Sequence, residues 1–107
     1  MVVAETNQGG TMVESVLRVA DARLRVKSVK ASISKSDRAI PIATAFEAGK
    51  VRLCGRFEEL EAELCGLIAG GGYEGPGRSP DRADAMVWAL SELMVRKEQV
   101  APRIRVL

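Results

Sequence analysis

The order of the first three segments constrains this fold more than any other feature of the sequence. Met1-Val-Val-Ala-Glu5 is a short apolar run ending in an acid and reads as a buried strand. Thr6-Asn-Gln-Gly-Gly10 is a turn. From Thr11 to about Ala22, the residues Met12, Val13, Val16, Leu17 and Ala20 recur at helical spacing. Thr11 is positioned to cap this helix, with Glu14 completing a capping box. A second strand follows over about Arg23 to Val29. Strand, helix and strand in that order favour parallel pairing, because parallel strands need a long crossover and a helix supplies it.

The rest of the chain is predominantly helical in pattern. Ser36 or Asp37 caps a helix that runs to about Ala48, with Pro41 in its first turn and Gly49 as its terminator. Val51-Arg-Leu53 reads as a short strand, and Phe57 to Ile68 as a helix with Leu60, Leu64, Leu67 and Ile68 on its apolar side. Residues 69–79 form a glycine-rich loop. Ser79 as N-cap and Pro80 at the first helical position open the last long helix, whose core face is Ala83, Met86, Val87, Leu90, Leu93 and Met94. Val100 to Leu107 reads as a strand or a linker. The expectation is one α/β domain over residues 1–107, ordered strand-helix-strand-helix-short strand-helix-helix.

Several function classes fall away at once. The chain has no histidine, and Cys54 and Cys65 lack C-x-x-C spacing, so neither a structural zinc site nor a Ser-His or Cys-His nucleophilic pair is available. The two cysteines read as free thiols of a reducing cytosol. No run approaches the ~20 apolar residues of a membrane span, and nothing resembles a signal peptide. A net charge of +2 is too small to mark a nucleic-acid binder. The basic residues are nonetheless grouped, from Arg18 to Arg38, while Glu58, Glu59, Glu61 and Glu63 form an acidic stretch. That asymmetry permits one face for a polyanion without requiring it.

Three acids are candidates for chemistry. Glu5 closes the first strand, and in open α/β sheets ligands gather beyond the carboxyl ends of strands. Asp81 and Asp84 are spaced i, i+3 at a helix start, which sets both carboxylates on one face. Carboxylates converging from different elements are what Mg²⁺ or Mn²⁺ requires. The plainer alternatives stay open: Glu5 as the first solvated residue after a strand, and the two aspartates as complements to the helix dipole. Lys35 and Arg38, at the start of the preceding helix, are candidates for DNA phosphates or for a solvated basic face. The glycine-rich loop lacks a P-loop pattern and carries little functional weight.

Three runs carry a resemblance. Val2-Val-Ala-Glu5-Thr-Asn7-Gln-Gly9-Gly10-Thr-Met-Val13 resembles the strand-turn-helix of phage DNA-packaging large terminase nucleases, where an acid closes the strand and an asparagine and a glycine follow. Lys35-Ser-Asp-Arg38-Ala39-Ile-Pro41-Ile-Ala43 resembles the segment after the next strand. Ser79-Pro80-Asp81-Arg82-Ala83-Asp84-Ala85-Met-Val87-Trp88-Ala89-Leu90 is the most specific, and is also similar to the D-x-x-D-A helix of bacterial Holliday-junction resolvases, which share the RNase H-like fold.

The resemblance implies the C-terminal part of an RNase H-like nuclease domain, without the first strands of its sheet. It implies a two-metal Mg²⁺ or Mn²⁺ site in which Glu5 matches the second catalytic acid, Asp81 the acid at the start of the last helix, and Asp84 a ligand or an orienter of one. Lys35 and Arg38 would contact DNA. The substrate would be concatemeric double-stranded DNA in the cytoplasm of a bacterial host. Implied partners are an N-terminal ATPase motor, the upstream nuclease segments, and portal or other packaging proteins. No residue matches the family's first aspartate and there is no P-loop, so the isolated chain is expected to cleave poorly or not at all. A sheet edge left open would favour self-association. The rival expectations are a non-catalytic prophage remnant or docking module, and a small α/β binding domain whose acids only cap helices.

Overall fold

A computed structural model describes residues 1–68 and 70–99, with side chains as far as residue 94. The tail at 100–107, read above as strand or linker, lies outside the described residues. The chain forms two compact units, residues 1–34 and residues 35–107.

In the first unit, β1 (Val2–Glu5) pairs in parallel with β2 (Val26–Val29), Val2 opposite Val26 and Glu5 opposite Val29. The parallel pairing expected from the segment order is present, and α1 (Thr11–Ala20) supplies the connection. Asn7 extends the ladder beyond the strands: its amide donates to the Ala31 carbonyl at 3.0 Å and its Oδ1 accepts the Ala31 N–H at 2.7 Å. A side-chain amide thus does the work of a further strand residue. Thr6, itself buried, donates its backbone N–H to Val29 at 3.0 Å.

Two expectations for this unit need correction. Thr11 does not cap α1; Gly10 does, with φ 53°, a left-handed conformation that glycine adopts without steric cost. Glu14 therefore sits one position beyond a capping box and instead pairs with Arg18 at 2.7 Å. Second, β1 is not a buried strand, since only Ala4 is buried along it. Among the described residues the sheet has two strands, too few to cover its own faces. Helix α1 buries none of its residues, and Met12, Val16 and Val19 are exposed.

In the second unit, α2 (Lys35–Glu47) and α3 (Glu58–Gly66) both pack on α4 (Asp81–Gln99). Ile42 and Ala45 of α2 and Ala83 and Val87 of α4 form its buried apolar core. The glycine terminator holds: Gly49, at φ 74°, donates to Phe46 at 3.0 Å while Lys50 donates to Ala45 at 2.9 Å, the paired bonds of a Schellman motif. Helix α2 begins at Lys35, earlier than expected, because the Ser36 hydroxyl donates to the Gly72 carbonyl at 2.9 Å instead of capping. Pro41 consequently falls in the second turn, where the helix forgoes one backbone bond.

The short strand expected at 51–53 is absent. Leu53 packs instead of pairing: it joins Ala43, Phe46, Leu64, Ile68 and Val87 in lining an open groove of about 530 Å³. The glycine-rich loop is tied down at its base by the Glu74 N–H to Gly66 carbonyl bond at 2.8 Å and by a Leu67–Tyr73 bridge. Gly66 lies so close to the Gly75 backbone and the Tyr73 ring that a Cβ has no room there. The α/β class stands. Among the described residues no helix is long and apolar enough to cross a membrane.

Candidate functional site

The first turns of α2 and α4 meet, and the charged residues singled out above are what they bring together. Arg38 Nη2 donates to Asp84 Oδ1 at 2.8 Å, with both side chains only 9% exposed. The Arg38 guanidinium also lies over the Trp88 ring, 4.7 Å from its centroid. Trp88 is one turn beyond Asp84 on α4, so a single arginine is clasped by two residues of that helix.

Lys35, one turn before Arg38, reaches the other acid. Its Nζ donates to Ser79 Oγ at 2.9 Å and to Asp81 Oδ1 at 3.2 Å, and lies 3.8 Å from Asp84 Oδ2. Ser79 Oγ in turn donates to Asp81 Oδ1 at 2.7 Å. The i, i+3 spacing thus does place both carboxylates around one point. Asp81 is open to solvent, with its side chain 81% exposed, whereas Asp84 is buried.

This network lowers the pKa of Asp81. The Ser79 hydroxyl contributes most, followed by the Lys35 ammonium through its hydrogen bond and its charge, while partial desolvation opposes them and Arg82 adds a little. A carboxyl lowered in the folded state stabilises the fold above the ordinary carboxylate range. That contribution disappears as pH falls through the lowered value.

The start of α4 is held by a residue whose role the sequence did not reveal. Glu63 of α3 is 3% exposed. Its Oε1 accepts the backbone N–H groups of Arg82 at 2.9 Å and Ala83 at 3.5 Å, and its Oε2 accepts from Arg82 Nη1 at 3.1 Å. A carboxylate from another helix therefore takes the capping place expected of Ser79. Pro80, not Ser79, directly precedes α4, and its carbonyl accepts the Asp84 N–H at 2.9 Å. One signal was available: Glu63 lies within one turn of both Leu60 and Leu67, an acid on the apolar side of its helix.

Glu5 stands exposed at the carboxyl end of β1, in the first unit. Among the described residues no group of three or more carboxylates, cysteines or histidines gathers as a ready metal set. What the second unit offers a cation is Asp81, Asp84 and the Ser79 hydroxyl, an all-oxygen donor set of the kind hard divalent ions take. The position between those oxygens already draws one positive charge, that of Lys35. The residues present therefore fit part of a metal centre.

A family model described as a terminase RNaseH-like domain matches residues 1–93. Neither a curated protein nor a solved structure matches the chain.

Proposed function

The chain belongs to the terminase RNaseH-like domain family, and on that premise we propose that Asp81 and Asp84 are part of a metal-dependent endonuclease site that cuts concatemeric double-stranded DNA during phage genome packaging, with Glu5 a further catalytic acid by family resemblance. The observation that carries this reading is the Asp81–Asp84 pair, one helical turn apart and grouped around a single cationic position.

In this reading the exposed Asp81 is the direct ligand for Mg²⁺ or Mn²⁺, and Ser79 orients it through its hydroxyl. Asp84 faces the same position with one oxygen, while Arg38 fixes the other. Bound divalent ions would generate the attacking hydroxide and stabilise the leaving oxygen at phosphorus. Of the two basic candidates, Lys35 is the better suited to a DNA phosphate, because its side chain is 38% exposed whereas Arg38 is committed to Asp84 and Trp88. Such contacts position the duplex and read no sequence.

The test is thermal unfolding with increasing Mn²⁺, on the chain and on its Asp81→Ala and Glu5→Ala variants. Preferential binding to the folded state should stabilise the parent chain by about 2.7 kcal/mol at a hundredfold excess over Kd. Asp81→Ala should abolish the rise, and Glu5→Ala should reduce it. An equal rise in all three would remove these acids from the site.

One observation favours a second reading, a non-catalytic docking module: the open apolar groove of about 530 Å³ beside α2 and α3. That reading predicts no Mn²⁺ response at all. Either way, a sheet with two strands among the described residues leaves edges open to strand addition. The chain is therefore expected to self-associate with rising concentration. Light scattering that reports a strict monomer at high concentration would contradict this.

A further inference from the structure

The Lys35 ammonium occupies the position that the reading above gives to a divalent ion. Three oxygens from three residues surround it: Ser79 Oγ at 2.9 Å, Asp81 Oδ1 at 3.2 Å and Asp84 Oδ2 at 3.8 Å. An ammonium and a metal ion cannot share this place, since each repels the other at such a separation. We infer that Lys35 is the internal counter-cation of the metal-free site, and that a divalent ion binds by exchange with its ammonium. The inference rests on the metal reading and deepens it.

The two basic residues differ in a way that decides which of them leaves. Arg38 holds the other oxygen of Asp84 at 2.8 Å, lies over Trp88 and is 9% exposed, so it stays. Lys35 is 38% exposed, on a flexible four-carbon stem, and its principal partner Asp81 is 81% exposed. It can swing into solvent without breaking the core. Exchange has two consequences. Without metal, Lys35 keeps Asp81 and Asp84 from repelling each other. When metal is present, it competes for the site and weakens the ion's apparent affinity.

Lys35→Met tests this, because it removes the charge and keeps most of the stem; Lys35→Arg keeps the charge. Free Mn²⁺, read from its electron paramagnetic resonance signal, gives the affinity of each form without reference to cleavage. The expected result is that Lys35→Met binds Mn²⁺ roughly fivefold to tenfold more tightly than the parent, the effect of one unit charge removed a few ångström away near water. Lys35→Arg should show no such gain. A second measurement needs no metal: at low salt, Lys35→Met should melt lower than the parent, and adding Asp81→Asn should restore part of the loss. Equal or weaker Mn²⁺ binding in Lys35→Met would overturn the exchange while leaving the metal reading in place. No binding by any of the forms would overturn the metal reading, and the exchange with it.

Discussion

Replacing Arg38 with alanine is expected to destabilise the protein by about 3 to 5 kcal/mol, the typical effect of removing one partner from a buried ion pair. The size of the effect follows from what remains. Asp84 would be left without its closest cation at a site where it is 8% exposed, with Lys35 at 3.8 Å. The Trp88 ring would also lose the guanidinium stacked on it. Folded proteins have only about 5 to 15 kcal/mol in hand, so the variant should lie close to its unfolding threshold. Urea denaturation measures the loss. Arg38→Met with Asp84→Leu should recover much of it, because an apolar pair of similar volume replaces a buried ionic one at little or no net cost. A loss under about 1 kcal/mol for Arg38→Ala would mean that the pair behaves as a solvated one.

Glu63→Ala is expected to cost about 2 to 3 kcal/mol, the sum of a lost helix cap and of charged hydrogen bonds left unmade. Its bond to the Arg82 side chain deserves little of this credit, since that arginine is 62% exposed. The backbone N–H groups of Arg82 and Ala83 matter more, because they would lose their acceptor at a buried helix start. Glu63→Gln keeps an acceptor for them and should lose roughly half as much. The variants also separate stability from function. Asp81 and Asp84 ride on the first turn of α4, so fraying that turn should weaken Mn²⁺ stabilisation even though neither acid is changed. Glu63→Ala with an unchanged Mn²⁺ response would show that α4 starts soundly without its cap.

The sequence made local features visible and concealed the contacts between distant segments. The last helix could be read from its apolar spacing, although Leu93, expected on its core face, is 61% exposed while Glu92 is buried; the end of α2 could be read from Gly49, and the parallel pairing from segment order. Each depends on neighbours within a few residues or on chain connectivity. Asp81 and Asp84 were legible as a pair for the same reason, being three residues apart. What they pair with was not. Arg38 and Asp84 are separated by 46 positions, and no spacing rule joins them. Lys35 and Arg38 therefore read as phosphate contacts or a solvated face, although Arg38 is largely buried. Glu63 was lost among the acids of its stretch, because exposure rather than residue type distinguishes it from Glu58 and Glu59. The strand expected at 51–53 failed because an apolar residue such as Leu53 can face a groove as readily as a sheet.

The central proposal is that Asp81 and Asp84, on the first turn of α4, bind a divalent metal ion. Paramagnetic broadening of backbone amide signals by substoichiometric Mn²⁺ tests it most directly, since broadening falls off steeply with distance from the ion. The account predicts that signals of residues 79–84 broaden first, and that they recover in Asp81→Ala. Broadening centred on the acidic stretch at 58–61, with residues 79–84 unaffected, would contradict it.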